Sequence, residues 1–204
     1  MFYETEKNNH GLPHNPFKSL IVPRPIGWIS SQDTLGNINL APYSYFNAVC
    51  DNPPMVMFST TNSLSDGAVK DTLYNVETQG EFVVNMATYE HREAMNLSSA
   101  SLSRNENEFL FAQVEMIPST LIKPPRVKGS PIQLECIYYQ SIQLPTDSPG
   151  NTNRAVIGKV IGVHIDDNVI VDGKIDVKKI KPITRLGYME YAVIDNVFNM
   201  QRPK

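Results

Sequence analysis

Short runs of aromatic and β-branched residues recur along the whole chain, and Pro, Gly, Asn and Asp separate them. Such runs suit a pleated, half-buried surface, and the residues between them suit turns. Ile26 to Ser31 reads as a strand, with Gln32-Asp33-Thr34-Leu35-Gly36-Asn37 as its turn. Ile38 to Val49 reads as the second strand of a hairpin, stopped by Asp51-Asn52-Pro53-Pro54. Met55 to Ser59, Glu81 to Met86, Ile132 to Leu144, Arg154 to Ile165 and Tyr188 to Ile194 continue the series. Asp71 to Thr78 reads as a helix, capped by Asp71, stopped by Gly80 and apolar at Leu73 and Val76. Tyr89 to Ser98 reads as a second, with Ala94 and Leu97 on one face, and Glu106 to Gln113 is compatible with a third. The fold class predicted is mainly β with short helical insertions. So many strands favour a closed barrel, because closure removes exposed sheet edges. No repeat or linker divides the chain, which predicts one domain over 1–204, with 1–17 as an N-terminal extension and 196–204 as a C-terminal tail.

Composition narrows the function classes. Hydrophobic residues make up 41% and charged residues 19%, which excludes a disordered chain. The net charge of −3 argues against a nucleic-acid or anionic-membrane surface, but leaves room for a basic pocket around one small anion. The polar N-terminus and the lack of any long apolar run predict a soluble, cytoplasmic protein. Cys50 and Cys136, far apart and outside any CxxC pattern, fit that compartment as reduced thiols. No G-x-G-x-x-G follows a strand, and neither a Walker loop, H-E-x-x-H nor G-x-S-x-G is present. His10, His14, His91 and His164 show no metal spacing. Any redox chemistry therefore has to come from a bound cofactor.

Two segments could hold one. After Met55 to Phe58 come Ser59, Thr60, Thr61, Asn62 and Ser63, then Lys70-Asp71-Thr72 at a helix start. Hydroxyls, a lysine and helix N-terminal amides cradle a phosphate if they converge, although spacing alone favours a polar loop and a capped helix. As cap, Asp71 would compete for those amides and leave the phosphate to Lys70, Thr72, Ser59 and Thr60. The second segment is Asn39 to Asn47, NLAPYSYFN. Tyr43, Tyr45 and Asn47 would share one face, and Pro42 demands an edge or a bulge that frees amides for a heterocycle. An aromatic strand of simple core residues is the plainer alternative.

Together the segments resemble the flavin reductase-like family, whose members bind FMN in a split β-barrel. The matching stretches are RPIGWISSQDTLGNINLAPYSYFNAVCDNPPMVMFS, KDTLYNVETQGEFVVN, LIKPPRVKGSPIQLEC, GKVIGVHIDD and PITRLGYMEY, in family order from about residue 18 to 195. The resemblance implies that Ala41, Pro42, Tyr43, Ser44 and Asn47 line the isoalloxazine. It places Ser59, Thr60, Lys70 and Thr72 around the phosphate, with Asp71 among the cofactor-site residues at the helix start. One departure stands out: Arg185-Leu186-Gly187-Tyr188 replaces the family's R-L-G-G and puts bulk where only hydrogen is expected.

The activity implied is a flavin reductase that takes hydride from NADH or NADPH and passes electrons to free flavin or a monooxygenase-type partner. The alternatives are an FMN electron carrier or flavin-storage protein, and pyridoxamine-phosphate oxidase-like chemistry on the same barrel. Hydride transfer needs alignment more than a proton donor, so no catalytic residue is assigned. His164 is a candidate contact for the nicotinamide or flavin rim, against the plainer reading of a satisfied histidine. The resemblance also implies a homodimer with the flavin near the interface. In that reading Gly158 and Gly162 offer a bare face to a neighbouring backbone; otherwise they only ease strand curvature.

Overall fold

The computed structural model describes residues 1–61 and 69–203. Seven strands form one antiparallel sheet: β1 (Gly27–Gln32), β2 (Ile38–Tyr43), β3 (Phe46–Asp51), β4 (Pro54–Thr60), β5 (Glu81–Met86), β6 (Ile132–Leu144) and β7 (Asn153–Ile165). Their order is β2-β1-β5-β6-β7-β4-β3. The two outermost strands are consecutive in the chain, with only Ser44 and Tyr45 between them. The sheet therefore curls until its edges approach, and Ser59 N donates to Tyr45 O at 2.8 Å beside the seam. The sequence predicts this mainly β architecture, with one correction: 38–49 is not one strand but two, broken at Ser44 and Tyr45. Pro42, which has no N–H to give a ladder, sits on the edge strand β2.

Strands β5 and β6 have the limits read from the sequence. The run 188–194 shrinks to Tyr191–Val193, which pairs with Ile183–Arg185 and through it with Arg24–Pro25 in a separate sheet. Helix α1 is Asp71–Gln79, α2 is Arg92–Leu97 and α3 is Glu108–Phe111. Gly80 ends α1 at φ +74°, its N–H donating to Val76 O, a conformation glycine adopts without strain. Asp71 is the first helical residue, not the cap; Lys70 occupies the cap position and Asp71 pairs with Arg104 Nε at 2.6 Å. In α2 the inward residue is Met95, while Leu97 is exposed.

Neighbouring residues of β1 serve two cores. Ile29 packs with Phe58, Phe82, Leu73 and Val76, whereas Trp28 packs with Leu40, Met95, Phe109 and Val127. A strand covered on both faces shows no polar alternation, as the buried Trp28 to Ser31 demonstrate. Buried polar groups of β1 are still satisfied: Trp28 Nε1 donates to Ser98 Oγ at 2.9 Å, and Asn85 Nδ2 to Trp28 O at 3.0 Å.

Strand β7 shifts register at both of its glycines. A Cβ on Gly158 would lie 2.3 Å from Phe82 Cζ, and one on Gly162 would lie 3.2 Å from Leu121 Cδ1. Both faces are filled by the same chain, so neither is bare; the bulges favour the curvature reading. His164 is the satisfied histidine, with Nε2 2.5 Å from Glu135 Oε1. Glu135 also accepts from Thr120 N and Leu121 N at 2.7 Å each, which pins the loop ahead of Pro124. Cys50 is exposed and Cys136 buried, both as free thiols. Among the described residues no helix is long and apolar enough to cross a membrane.

Candidate functional site

A groove follows the edge strand β2 and has two lobes. The larger, about 420 Å³, is lined by residues that include Arg24, Ser44, Tyr45, Ser59, Thr61 and Arg185. The smaller, about 220 Å³, is lined by residues that include Asn39, Ala41, Asp71, Thr72, Ser101 and Glu108. Pro42, Tyr43, Lys70 and Ser99 belong to both, so the lobes form one continuous site. The break at Ser44 and Tyr45 creates the larger lobe, because the chain leaves the sheet there and exposes a strand end beside Ser59.

Eight of the ten residues expected at the site come together: Ala41, Pro42, Tyr43, Ser44, Ser59, Lys70, Asp71 and Thr72. Their arrangement is not one cradle, since Ser59 and Thr72 line different lobes and Lys70 bridges them. Asn47 stands outside, exposed on β3, with its Oδ1 accepting from Ala48 N at 2.9 Å. Thr60 is also outside the lining, buried, and its Oγ1 has no partner among the described residues. Asn62 and Ser63 lie outside the described residues. His164 lines neither lobe.

Four residues outside the expected set shape the groove. Arg24 is buried and its guanidinium donates to Ile21 O and Leu186 O at 2.8 Å each, to Lys18 O, and to Ser44 Oγ at 3.4 Å. It ties both ends of the chain to the rim. Arg185 is engaged by Tyr191 Oη and Tyr188 O. Thr61 adds a hydroxyl next to Ser59. Glu108, at the start of α3, accepts from Leu40 N at 3.1 Å. The Asn39 amide fits between them with its nitrogen 3.1 Å from Glu108 Oε1 and its oxygen accepting from Thr72 Oγ1 at 2.7 Å.

The electrostatics follow from burial. Desolvation, with the charge of Lys18, holds the Lys70 ammonium below the usual lysine range. Burial raises the Tyr43 phenol well above its usual value, so it stays neutral. Tyr188 has φ +51°, an unfavourable backbone for a residue with a Cβ. Its ring is half-exposed and packs edge-on against His14, 5.8 Å between centroids, so the bulk sits on the outer surface of its turn.

These residues fit a phosphorylated planar heterocycle. Tyr43, Tyr45 and Met95 supply flat apolar surface, and the edge strand supplies backbone polar groups. Lys70 supplies a cation at the junction, and hydroxyls stand on both sides of it. Among the described residues, no group of three or more His, Cys, Asp or Glu could hold a metal ion.

Comparison with known proteins agrees with this description. Residues 19–179 match the family model described as flavin reductase like domain. Nitrilotriacetate monooxygenase component B from Bacillus cereus is 32% identical, with a TM-score of 0.87 over 98% of both chains. A split barrel domain protein from Shewanella frigidimarina superposes at a TM-score of 0.83 over 100% of each chain, at 23% identity. The FMN-binding domain of a flavin reductases-like enzyme from Shewanella baltica shares the fold at a TM-score of 0.69, with 19% identity and coverage of 87% of this chain and 89% of that one.

Proposed function

Because the chain belongs to the flavin reductase-like family, we propose that it binds FMN in the two-lobed groove and transfers hydride equivalents from NADH or NADPH. The observation that carries this reading is Lys70 at the junction of the lobes, with Ser59 and Thr61 on one side and Thr72 on the other. Bound there, FMN supplies the two-electron chemistry that the side chains lack. The chain's own part is to bind, orient and desolvate. Lys70 and the hydroxyls hold the phosphate, and Pro42, Tyr43 and Ser44 position the ring along β2. The neutral Tyr43 phenol adds no charge beside it. With no acid–base residue required, alignment supplies the rate.

Electrons then pass to free flavin or to an oxygenase partner, as supported by likeness to a component B protein of a monooxygenase. We place this activity on a single cytoplasmic domain acting as a homodimer. The dimer is supported by apolar residues exposed on β6 and β7, among them Ile137, Tyr139, Ile142 and Val163. Titration of the protein with FMN and riboflavin, followed by flavin fluorescence, tests the cofactor. Lys70→Ala weakens FMN binding roughly ten- to hundredfold by removing a charge-assisted contact. An unchanged Kd would remove Lys70 from the site, and equal affinity for riboflavin would sink the phosphate reading. NAD(P)H oxidation no faster than with free FMN would leave an electron carrier. Sedimentation of a monomer with FMN bound would overturn the dimer.

A further inference from the structure

Glu108 is an acid walled into the groove, and among the described residues it forms no salt bridge. It is only 6% exposed and lines the smaller lobe. One carboxylate oxygen accepts from Leu40 N at 3.1 Å; the other lies 3.1 Å from the Asn39 amide, whose nitrogen donates to an ionised Glu108 and whose oxygen, with the amide turned over, accepts from a neutral one. The elements around it bring little compensating charge. From β2 come Asn39 and Tyr43, and from the segment that follows α2 come the hydroxyls of Ser98, Ser99 and Ser101. From the start of α1 come Lys70, whose ammonium is itself partly desolvated, and Asp71, which is claimed by Arg104 at 2.6 Å. Glu106, two residues upstream, is a further negative charge.

We propose that Glu108 holds a proton for the site: a phosphorylated flavin binds with Glu108 neutral, so that filling the groove with an anion takes up a proton. This rests on the reading that the groove binds FMN. The acid–base balance of the empty groove supports it. Burial pushes the Glu108 carboxyl up to about 7; its own N–H and that of Leu40 oppose the shift, and Asp71 and Glu106 add to it. At neutral pH the group is therefore divided between its two forms. A dianion brought near Lys70 disfavours the ionised form further. As an ordinary carboxylate, Glu108 would instead stay charged and give no linkage.

The test is isothermal titration of the protein with FMN at pH 7 and pH 8, in two buffers of different ionisation enthalpy, beside a fluorescence Kd. In this range the phosphate is already essentially a dianion. If only the neutral form binds, Kd rises about fivefold from pH 7 to pH 8, and proton uptake grows from about one half toward one. Riboflavin, which lacks the phosphate, shows a smaller change. Glu108→Gln binds FMN with no proton uptake and no rise in Kd over this interval. A wild-type Kd that is flat with pH, without uptake, overturns the proposal, and that measurement stands even if the variant does not fold. A slope kept by Glu108→Gln and lost in Lys70→Arg assigns the proton to Lys70 and also overturns it. Failure of the wild-type to bind FMN at all sinks the flavin reading and this proposal with it; binding without the pH slope sinks only this proposal.

Discussion

Adding one methyl group at Gly158 tests how the barrel is packed behind the groove. The new Cβ would sit 2.3 Å from Phe82 Cζ and 2.5 Å from Cε1. Carbon atoms pack at about 3.5–4.0 Å, so the ring has to retreat by more than 1 Å. It has nowhere free to go. Phe82 is fully buried and meets Phe58 edge-on at 5.5 Å between centroids, and Phe58 meets Tyr43 at 5.1 Å. Overfilling a packed core costs about 1–3 kcal/mol, and the long contact path puts Gly158→Ala in the upper half of that range. Alanine's better backbone statistics in a strand return roughly 0.5–1 kcal/mol, which leaves a net loss of about 2 kcal/mol. In a chain of this size that lowers Tm by roughly 4–8 °C. Because the displaced rings end at Tyr43, FMN affinity falls too. Urea denaturation of Gly158→Ala beside Gly162→Ala is the assay, since the second substitution meets the tip of exposed Leu121 at 3.2 Å and Glu135 at ordinary contact distances of 3.4 and 3.7 Å. A loss below about 0.5 kcal/mol for Gly158→Ala, or equal losses for the two, would refute the argument.

Three further outcomes are expected. Glu108 has its folded pKa raised from 4.5 to about 7, so its stabilising contribution is present at low pH and is lost as pH rises through that window. Glu108→Gln therefore gains on the wild-type by up to about 3 kcal/mol between pH 4.5 and pH 8, measured by denaturation of the apoprotein. At position 188 the left-handed backbone makes glycine better than alanine by about 1 kcal/mol, so Tyr188→Gly melts above Tyr188→Ala. A thiol reagent modifies Cys50 in the native protein and Cys136 only after unfolding, because burial shields the second and also raises its pKa.

Local chemistry accounts for what could be read in advance. The turn after β1 is legible because Asp33 can accept from Leu35 N and Asn37 N, both at 2.8 Å, a bond pattern set within five residues. The limits of β5 and β6 and the glycine stop after α1 are of the same kind. What could not be read depends on partners far along the chain. Ile38 to Val49 looks continuous, yet it breaks where Tyr45 finds its bond to Ser59 rather than to a ladder. Asp71 has the composition of a cap, but Arg104, 33 residues away, draws it aside. Glu108 carried one faint signal, an asparagine before an acidic residue, and Asn107 does cap α3 through Phe109 N at 2.9 Å. Its burial against Leu40 comes from a contact 68 residues apart, which no local pattern encodes. Arg24 opens the RPIGW stretch, but its bond to Leu186 O spans 162 residues and has no local signal. In the groove, eight of the expected residues share one lining, while Asn47 and Thr60 lie outside it for reasons of strand register that no local pattern carries.

The Arg24 staple also sets when the groove can exist during synthesis. Its bond to Leu186 O spans 162 residues, and the Arg24–Pro25 strand has no partner until Ile183–Arg185 leaves the ribosome. The larger lobe is therefore finished last, after all seven barrel strands are available. A nascent chain has a barrel but no complete rim, and closing so long a loop is the slow, entropically costly kind of contact. In the proposed reading, flavin loading therefore belongs to the released chain, whose rim the Arg24 bond has already closed.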